Sequence, residues 1–300
     1  MFSQIESHIM LGYKCNHHCL HCVVQVKREL KSKEKDDTLS HEEAIATIEQ
    51  AFEHKATKIV ISGGEPTLRS DIIELVQICL KKGAIVQIQT NGSQTDVIKN
   101  ICIENRDYSN MLEFMIPMHS VNENIFDMIC GCKGGYKNLE CTLKYLKSIQ
   151  ANIVGKIVLT KYTDNLQSIC EMYRKYGAKK IIIAYPHCVS FSTDKIAEID
   201  LERIEVQNKI NEILNIDKPN EICMQGFPRC FIGTNVFTIQ EEDREYINTL
   251  VLEHQYKSSV PLPWHKYRKL DKRKFKHCSS CEYDKICEGI WKEYLKIYGD

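Results

Sequence analysis

Lys58-Ile-Val-Ile-Ser62, followed at once by Gly63-Gly64-Glu65-Pro66, decides the fold. The first five residues are a near-continuous apolar run of the kind found in parallel strands covered on both faces. The glycines and the proline then break it. Outward from this point the same unit recurs. Strands are expected at Ile5–Tyr13, Ile85–Thr90, Leu112–Met118, Ile153–Thr160 and Lys180–Tyr185, with amphipathic helical stretches between them. Ser40 and Glu43 form a capping box, and Asp164 is placed to cap a helix over Asn165–Tyr176. Six β/α units in succession imply an α/β fold with a parallel sheet, open or curled into a barrel. Right-handed crossovers put the loops that follow the strands on one edge, where ligands of such folds sit.

After about residue 190 the alternation fades. A helix is expected over Asp200–Leu214, and the remainder is irregular and studded with Gly, Pro and Cys. The chain therefore divides into a core, residues 1–190, and an extension, residues 191–300, that does not continue the sheet. Residues 27–37 (KRELKSKEKDD) read as a solvated loop. The 300 residues carry 40 Lys plus Arg against 40 Asp plus Glu, which gives no electrostatic ground for broad nucleic-acid binding. The start, MFSQIESHIM, lacks a secretory pattern, and no stretch approaches the ~20 apolar residues of a membrane span. A cytoplasmic protein is expected. Its 15 cysteines are many for that compartment, where grouped cysteines point to metal or redox chemistry rather than disulfides.

The first group is Cys15-Asn-His-His-Cys19-Leu-His-Cys22. Three thiolates on one tight loop can bind three irons of a cubane cluster and leave the fourth open, as a catalytic metal site requires. Zinc is the alternative, with His17, His18 or His21 as the fourth ligand. Downstream, Gly63 and Gly64 permit close approach of backbone to a ligand, and Glu65 offers a carboxylate to a ligand ammonium. Gln89-Thr90-Asn91-Gly92 ends the third strand, and His119-Ser120 follows the fourth.

These four features, in this order, resemble the radical S-adenosylmethionine (SAM) superfamily over roughly residues 5–185. The resemblance implies a partial (β/α)6 TIM-like barrel. It also implies a [4Fe–4S] cluster on Cys15, Cys19 and Cys22, with SAM bound at the open iron. Gly63, Gly64, Glu65 and Pro66 resemble the segment that holds the SAM amino group. Thr90 and Asn91 resemble the family's TNG turn, and His119 and Ser120 stand where the family contacts ribose or methionine. In that family an electron from the cluster cleaves SAM to a 5′-deoxyadenosyl radical, which abstracts a substrate hydrogen. A reductase, flavodoxin or ferredoxin would supply the electron.

The second group is Cys278-x2-Cys281-x5-Cys287, with Cys230 as the expected fourth ligand and Cys223 the next choice. It resembles the SPASM and Twitch auxiliary-cluster extensions, but Trp291 stands where the full pattern has a further Cys. The resemblance implies a small C-terminal iron–sulfur extension with one additional [4Fe–4S] cluster; four thiolates also suit structural zinc. Cys130 and Cys132, in a loop after the fourth strand, are candidate hydrogen donors or acids, and Cys188 is another. Inert packing is the plainer reading for all three, and for Cys79, Cys102, Cys141 and Cys170 within helices. Residues 268–277 (RKLDKRKFKH) are locally basic and fit either a solvated linker or a surface that greets an anionic substrate. The final helix, Glu288–Tyr298, carries Ile290, Trp291, Tyr294, Leu295 and Tyr298 as a packing stripe.

Fold and initiation chemistry do not set the substrate. The extension favours a peptide maturase that crosslinks, epimerises or oxidises a residue. The cluster motif starts at residue 15, so peptide recognition would fall to the extension or to a separate leader-binding protein. The other readings are a small-molecule dehydrogenase or cyclase, and a non-catalytic electron-transfer protein.

Overall fold

The computed structural model describes residues 3–34, 37–188, 191–233, 236–254 and 260–299. The expected strands are present as β1 (Gln4–Met10), β2 (Lys58–Ser62), β3 (Ile85–Gln89), β4 (Leu112–Pro117), β5 (Asn152–Val158) and β6 (Lys180–Ala184). They pair in sequence order, all parallel. The fold is thus α/β with a mostly parallel sheet, the partial-barrel arrangement expected.

The sheet does not stop at β6, contrary to the expectation for residues 191–300. β7 (Ile222–Gln225) and β8 (Thr238–Ile239) add to its far edge. β9 (Thr249–His254) pairs with β1, and β10 (Leu262–Pro263) lies antiparallel on β9. The order is β10-β9-β1-β2-β3-β4-β5-β6-β7-β8, with edges at β10 and β8. Strands of two to six residues carry too little periodicity to be read against irregular surroundings. The boundary expected after residue 190 adjoins residues 189–190, which lie outside the described residues.

The two faces of the sheet differ. Ile9, Ile59, Ile61, Val86, Ile88, Phe114, Ile116, Ile157 and Ile183 join one apolar cluster with the helices. The opposite face is mixed: Val60 and Ile182 are buried there, as expected of strands covered on both faces, beside a polar patch nearer β1. Glu6, His8, Lys58, Glu113 and Glu253 are linked there by ion pairs of 2.5–3.7 Å, and Gln87 donates to Glu113 at 3.0 Å. The apolar residues of each strand point mainly to the helices; isolated charges in between face the interior of the curl.

Three local expectations change. Residues 25–34 form a helix rather than a loop. It is charged nearly all round, and its buried Arg28 fastens it by donating to the His17 carbonyl at 2.7 Å. Asn165, not Asp164, caps the helix Leu166–Lys175 by accepting from Ser168 N. The last helix begins at Lys292, because Ile290–Trp291 pair with Lys272–Arg273 as a short antiparallel ladder. Among the described residues no helix is long and apolar enough to cross a membrane.

Candidate active site at the cysteine loop

The loop of Cys15, Cys19 and Cys22 links β1 to the helix Gln25–Glu34. Its backbone is held from two sides. His18 N donates to Cys130 O and Leu20 N to Ile129 O, each at 2.9 Å, so the end of the helix Glu123–Cys130 brackets it. Arg28 holds the other side through His17 O. The three thiols are half-buried. Burial raises the pKa of each, so an electropositive metal is what would hold them as thiolates. Among the described residues no three His, Cys, Asp or Glu side chains converge on a point suited to one metal ion. A cubane takes each thiolate on a different iron. The donor set and the bracketed loop fit a cluster.

The glycines after β2 serve this loop in a way the sequence reading did not assign. A Cβ on Gly64 would run into the carbonyls of Lys14 and Tyr13, and one on Gly63 into Gly12 O. The close approach is to the chain's own backbone at the entry to the cysteine loop. Gly64 N donates to Gly12 O at 2.9 Å and Glu65 N to Lys14 O at 2.8 Å. Pro66 opens the short 3₁₀ turn Pro66–Leu68, which Glu65 caps.

Glu65 is buried and accepts four hydrogen bonds. Its Oε1 takes Thr67 N, Thr67 Oγ1 and Thr90 Oγ1 at 3.0, 2.6 and 2.7 Å, and its Oε2 takes Asn91 N at 2.6 Å. Burial raises its pKa against the pull of these donors. Oε1 is saturated; Oε2 has room for one more donor. The carboxylate therefore ties the β2 turn to the β3 turn before it meets any ligand. Asn91 carries the tie onward: its Nδ2 donates to Asn16 Oδ1 at 2.8 Å and lies 4.0 Å from Cys15 Sγ. Asn16 Nδ2 donates in turn to Ser93 Oγ at 2.8 Å. Sequence reasoning missed Asn16, a lone polar residue between Cys15 and His17 with no periodicity to mark it.

His119 also reaches the loop. Its ring stands edge-on to His21 with centroids 4.3 Å apart, and burial pushes its pKa well below the usual histidine value. Ser120 turns away, donating to Asp164 Oδ2 at 3.0 Å and accepting from Asn122 N at 2.8 Å. Cys130 is buried with its thiol against the carbonyls of Asp127 and Cys132, and burial pushes its pKa up to about 12. Cys132 is half-buried, with its thiol on Lys133 O. Cys188 is packed with Ile196 and Ile199. Cys79 and Cys170 are buried as expected, whereas Cys141 is exposed.

Beyond His21 and Cys22 lies a cavity of about 270 Å³. Its walls include Lys156 and Val158 from β5, Tyr185 and His187 after β6, and Trp264 and Trp291 from the extension. Lys156 was not singled out, though a lone lysine within Asn152-Ile-Val-Gly-Lys-Ile-Val158 is a signal of its own. At the far end of the extension, the Cys230 thiol lies within electrostatic range of Cys278 and Cys287, and Cys278 within range of Cys281. Cys223 lies elsewhere, on β7 beside Lys180, Glu241 and Lys156. The basic stretch 268–277 is not a solvated linker: Arg268 and Lys272 are buried against Glu288.

A profile of the Radical SAM superfamily matches residues 9–181. The chain is 39% identical over 83 residues to the Fe-coproporphyrin III synthase of Methanosarcina barkeri, covering 28% of this chain and 20% of that one. It is 25% identical over 243 residues to the PqqA peptide cyclase of Gluconobacter oxydans, covering 74% of this chain and 65% of that one. The match thus spans less than two thirds of either relative. Among solved structures, Streptococcus suis SuiB bound to precursor peptide SuiA superposes with a TM-score of 0.64 at 15% identity, over 98% of this chain and 73% of that one.

Proposed function

The chain belongs to the radical SAM superfamily, and from that premise we propose that it is an iron–sulfur, SAM-dependent enzyme that modifies a peptide. The observation that carries the reading is the hydrogen-bonded chain from Glu65 through Asn91 and Asn16 to the cysteine loop, which couples the strand-end turns to the thiols. Cys15, Cys19 and Cys22 would hold three irons of a [4Fe–4S] cluster. When bound, the cluster and SAM supply one-electron cleavage and a carbon radical able to take a hydrogen atom from substrate. The residues around them orient and exclude. Glu65 Oε2 keeps one acceptor position for a ligand ammonium, and Gly63, Gly64 and Pro66 fix the turn that presents it. Thr90 and Asn91 hold the adjoining edge. His119, neutral and buried, stands edge-on to His21 of the loop, and Ser120 braces the turn that carries it.

Cys230, Cys278, Cys281 and Cys287 would hold the auxiliary [4Fe–4S] cluster, with Cys230 preferred over Cys223 on placement. A peptide substrate is favoured by the relatives: one is a peptide cyclase, and another has been solved with its precursor peptide. An electron donor and a leader-binding partner complete the proposal.

Anaerobic reconstitution with iron, sulfide, dithionite and SAM tests the chemistry. Formation of 5′-deoxyadenosine is expected; its absence with an intact cluster overturns the enzyme reading. Co-expression with a short peptide encoded beside this chain tests the substrate. A change in the peptide's mass, or in the chirality of its residues after hydrolysis, that vanishes in Cys19→Ala is expected, and a peptide unchanged in both alongside active SAM cleavage points to a small molecule.

A further inference from the structure

The cavity beside the cysteine loop carries more polar chemistry than its apolar walls need. The half-buried Lys156 and the buried Arg268 line it with Glu241, and Lys272 and Glu288 stand beside Arg268. The nearby Asp271 is already paired with Lys292. Arg268 grips Glu288 with both arms, at 2.5 and 2.6 Å, and Lys272 shares the same carboxylate at 3.3 Å while lying over the Trp291 ring. Lys156 makes no ion pair among the described residues, and an enclosed charge without a close counter-ion is costly. Lys156 is the cation best placed to receive a ligand. Its ammonium donates to Gln225 Oε1, and its two other donors have no partner among the described residues. Across the cavity, Glu241 Oε1 accepts from Gly226 N at 2.9 Å, but its Oε2 is buried without a partner. His187 Nε2 and Trp291 Nε1 are likewise unpartnered, and their rings are stacked 3.8 Å apart. Buried polar atoms without partners are uncommon and call for a reason. Here they line one cavity.

We propose that this cavity seats a substrate carboxylate carried on an amide frame, the carboxylate received by Lys156 and the neighbouring amide N–H by Glu241 Oε2. The assignment rests on the reading of the cysteine loop as the reaction centre, because His21 and Cys22 form the adjoining wall. It narrows the substrate from any peptide to one that presents an acidic side chain or its own C-terminus beside the bond to be changed. Trp291 and His187 would supply further donors as they part around the ligand.

The charge state of Lys156 supports the assignment. Burial lowers its pKa to about 8; Cys223 and Glu241 act against that shift, while Lys180 adds to it. The buried His119 also faces it, and Gln225 accepts from it without charge. The ammonium form predominates at pH 7, and carboxylate binding should weaken about tenfold by pH 9.

The chain's two tryptophans both line the cavity, so its intrinsic fluorescence reports on it. The reconstituted protein is titrated with N-acetyl-glutamate α-amide, which has only a side-chain carboxylate, and with N-acetyl-alanine, which has only a terminal one. N-acetyl-glutamine α-amide is the uncharged control. A saturable change with one carboxylate probe, at least tenfold tighter than with the control, is expected and identifies the source of the carboxylate. Lys156→Gln should lose that preference and Lys156→Arg retain it. Equal binding of the neutral probe, no saturable change with either acid, or a preference that survives Lys156→Gln overturns the proposal. The comparison of probes on the unmodified chain stands even where a variant fails to fold. Formation of 5′-deoxyadenosine is measured separately: it can succeed where carboxylate binding fails, and the reverse.

Discussion

Glu65 shows how a residue can be found from sequence while part of what it does stays hidden. Its place after two glycines marks it, but its four donors come from two separate turns that only the fold brings together. Removing a buried acceptor strands those donors, at roughly 1–3 kcal/mol for each group left unpaired. Glu65→Ala should therefore lower the melting temperature and weaken SAM binding, measured by equilibrium dialysis on the same preparation. A variant that loses SAM binding with an unshifted melt would show that the carboxylate serves the ligand alone. His8 offers a second check, away from the site. Burial disfavours its charged form, yet Glu253 and Glu6 outweigh burial and hold its pKa up to about 10. The folded value lies above the unfolded value of about 6.5. Its stabilisation is thus complete below about pH 6.5 and lost as pH rises to about 10. His8→Gln should lower the melting temperature at pH 6 and leave it unchanged near pH 10.5; an equal loss at both would place its role in packing. At this scale the sequence revealed the residues whose spacing is constrained, Cys15, Cys19 and Cys22. It concealed Asn16 and Lys156, whose partners lie 75 and 69 residues away.

Elements were legible where length and pattern were both ample. The six central strands and the capping box at Ser40 stand as read, because each apolar run is bounded by turn residues. β7 to β10 were not legible: β8 and β10 have two residues each, and pairing partners rather than intrinsic pattern make them strands. The helix Gln25–Glu34 was hidden by its charge, since its anchor is a single buried arginine rather than an apolar stripe. Gly155 on β5 shows how closely elements are fitted. A Cβ there would lie 2.8 Å from the Tyr173 ring. Tyr173, from the helix Leu166–Lys175, is fully buried, with its hydroxyl 2.8 Å from Ile116 O and 2.9 Å from Lys156 O. Gly155→Ala forces that ring to shift, so it should destabilise by about 1–3 kcal/mol as other overpacked cores do. It should also disturb β5, the strand that carries Lys156. Denaturant melts measure the first effect and the probe titration the second. The double variant Gly155→Ala with Tyr173→Phe, which keeps the ring but not the hydroxyl, should not recover stability. Recovery would mean that hydroxyl strain, not ring overlap, is the cause.

Across the whole molecule, strands from the extension flank both edges of the core sheet, and its cysteines lie beyond the cavity wall. Metal content separates the two thiol groups without reference to activity. Cys15, Cys19 and Cys22 are bracketed by Arg28 and the helix Glu123–Cys130, elements of the core. Cys230, Cys278, Cys281 and Cys287 belong to the extension, and Phe275, Tyr294 and Phe231 pack beside them as one aromatic cluster. Two cubanes require about eight irons and no zinc, and a structural zinc in the extension would give about four irons with one zinc. Cys278→Ala and Cys230→Ala should each reduce about eight irons to about four. Cys223→Ala should leave the count whole, because that thiol sits on β7 beside Lys180, Glu241 and Lys156. Iron retained in Cys230→Ala but halved in Cys223→Ala would exchange the ligand. Loss of iron from both sites in Cys278→Ala would mean that the extension holds the core sheet in shape, through β9 against β1, as well as covering its cavity.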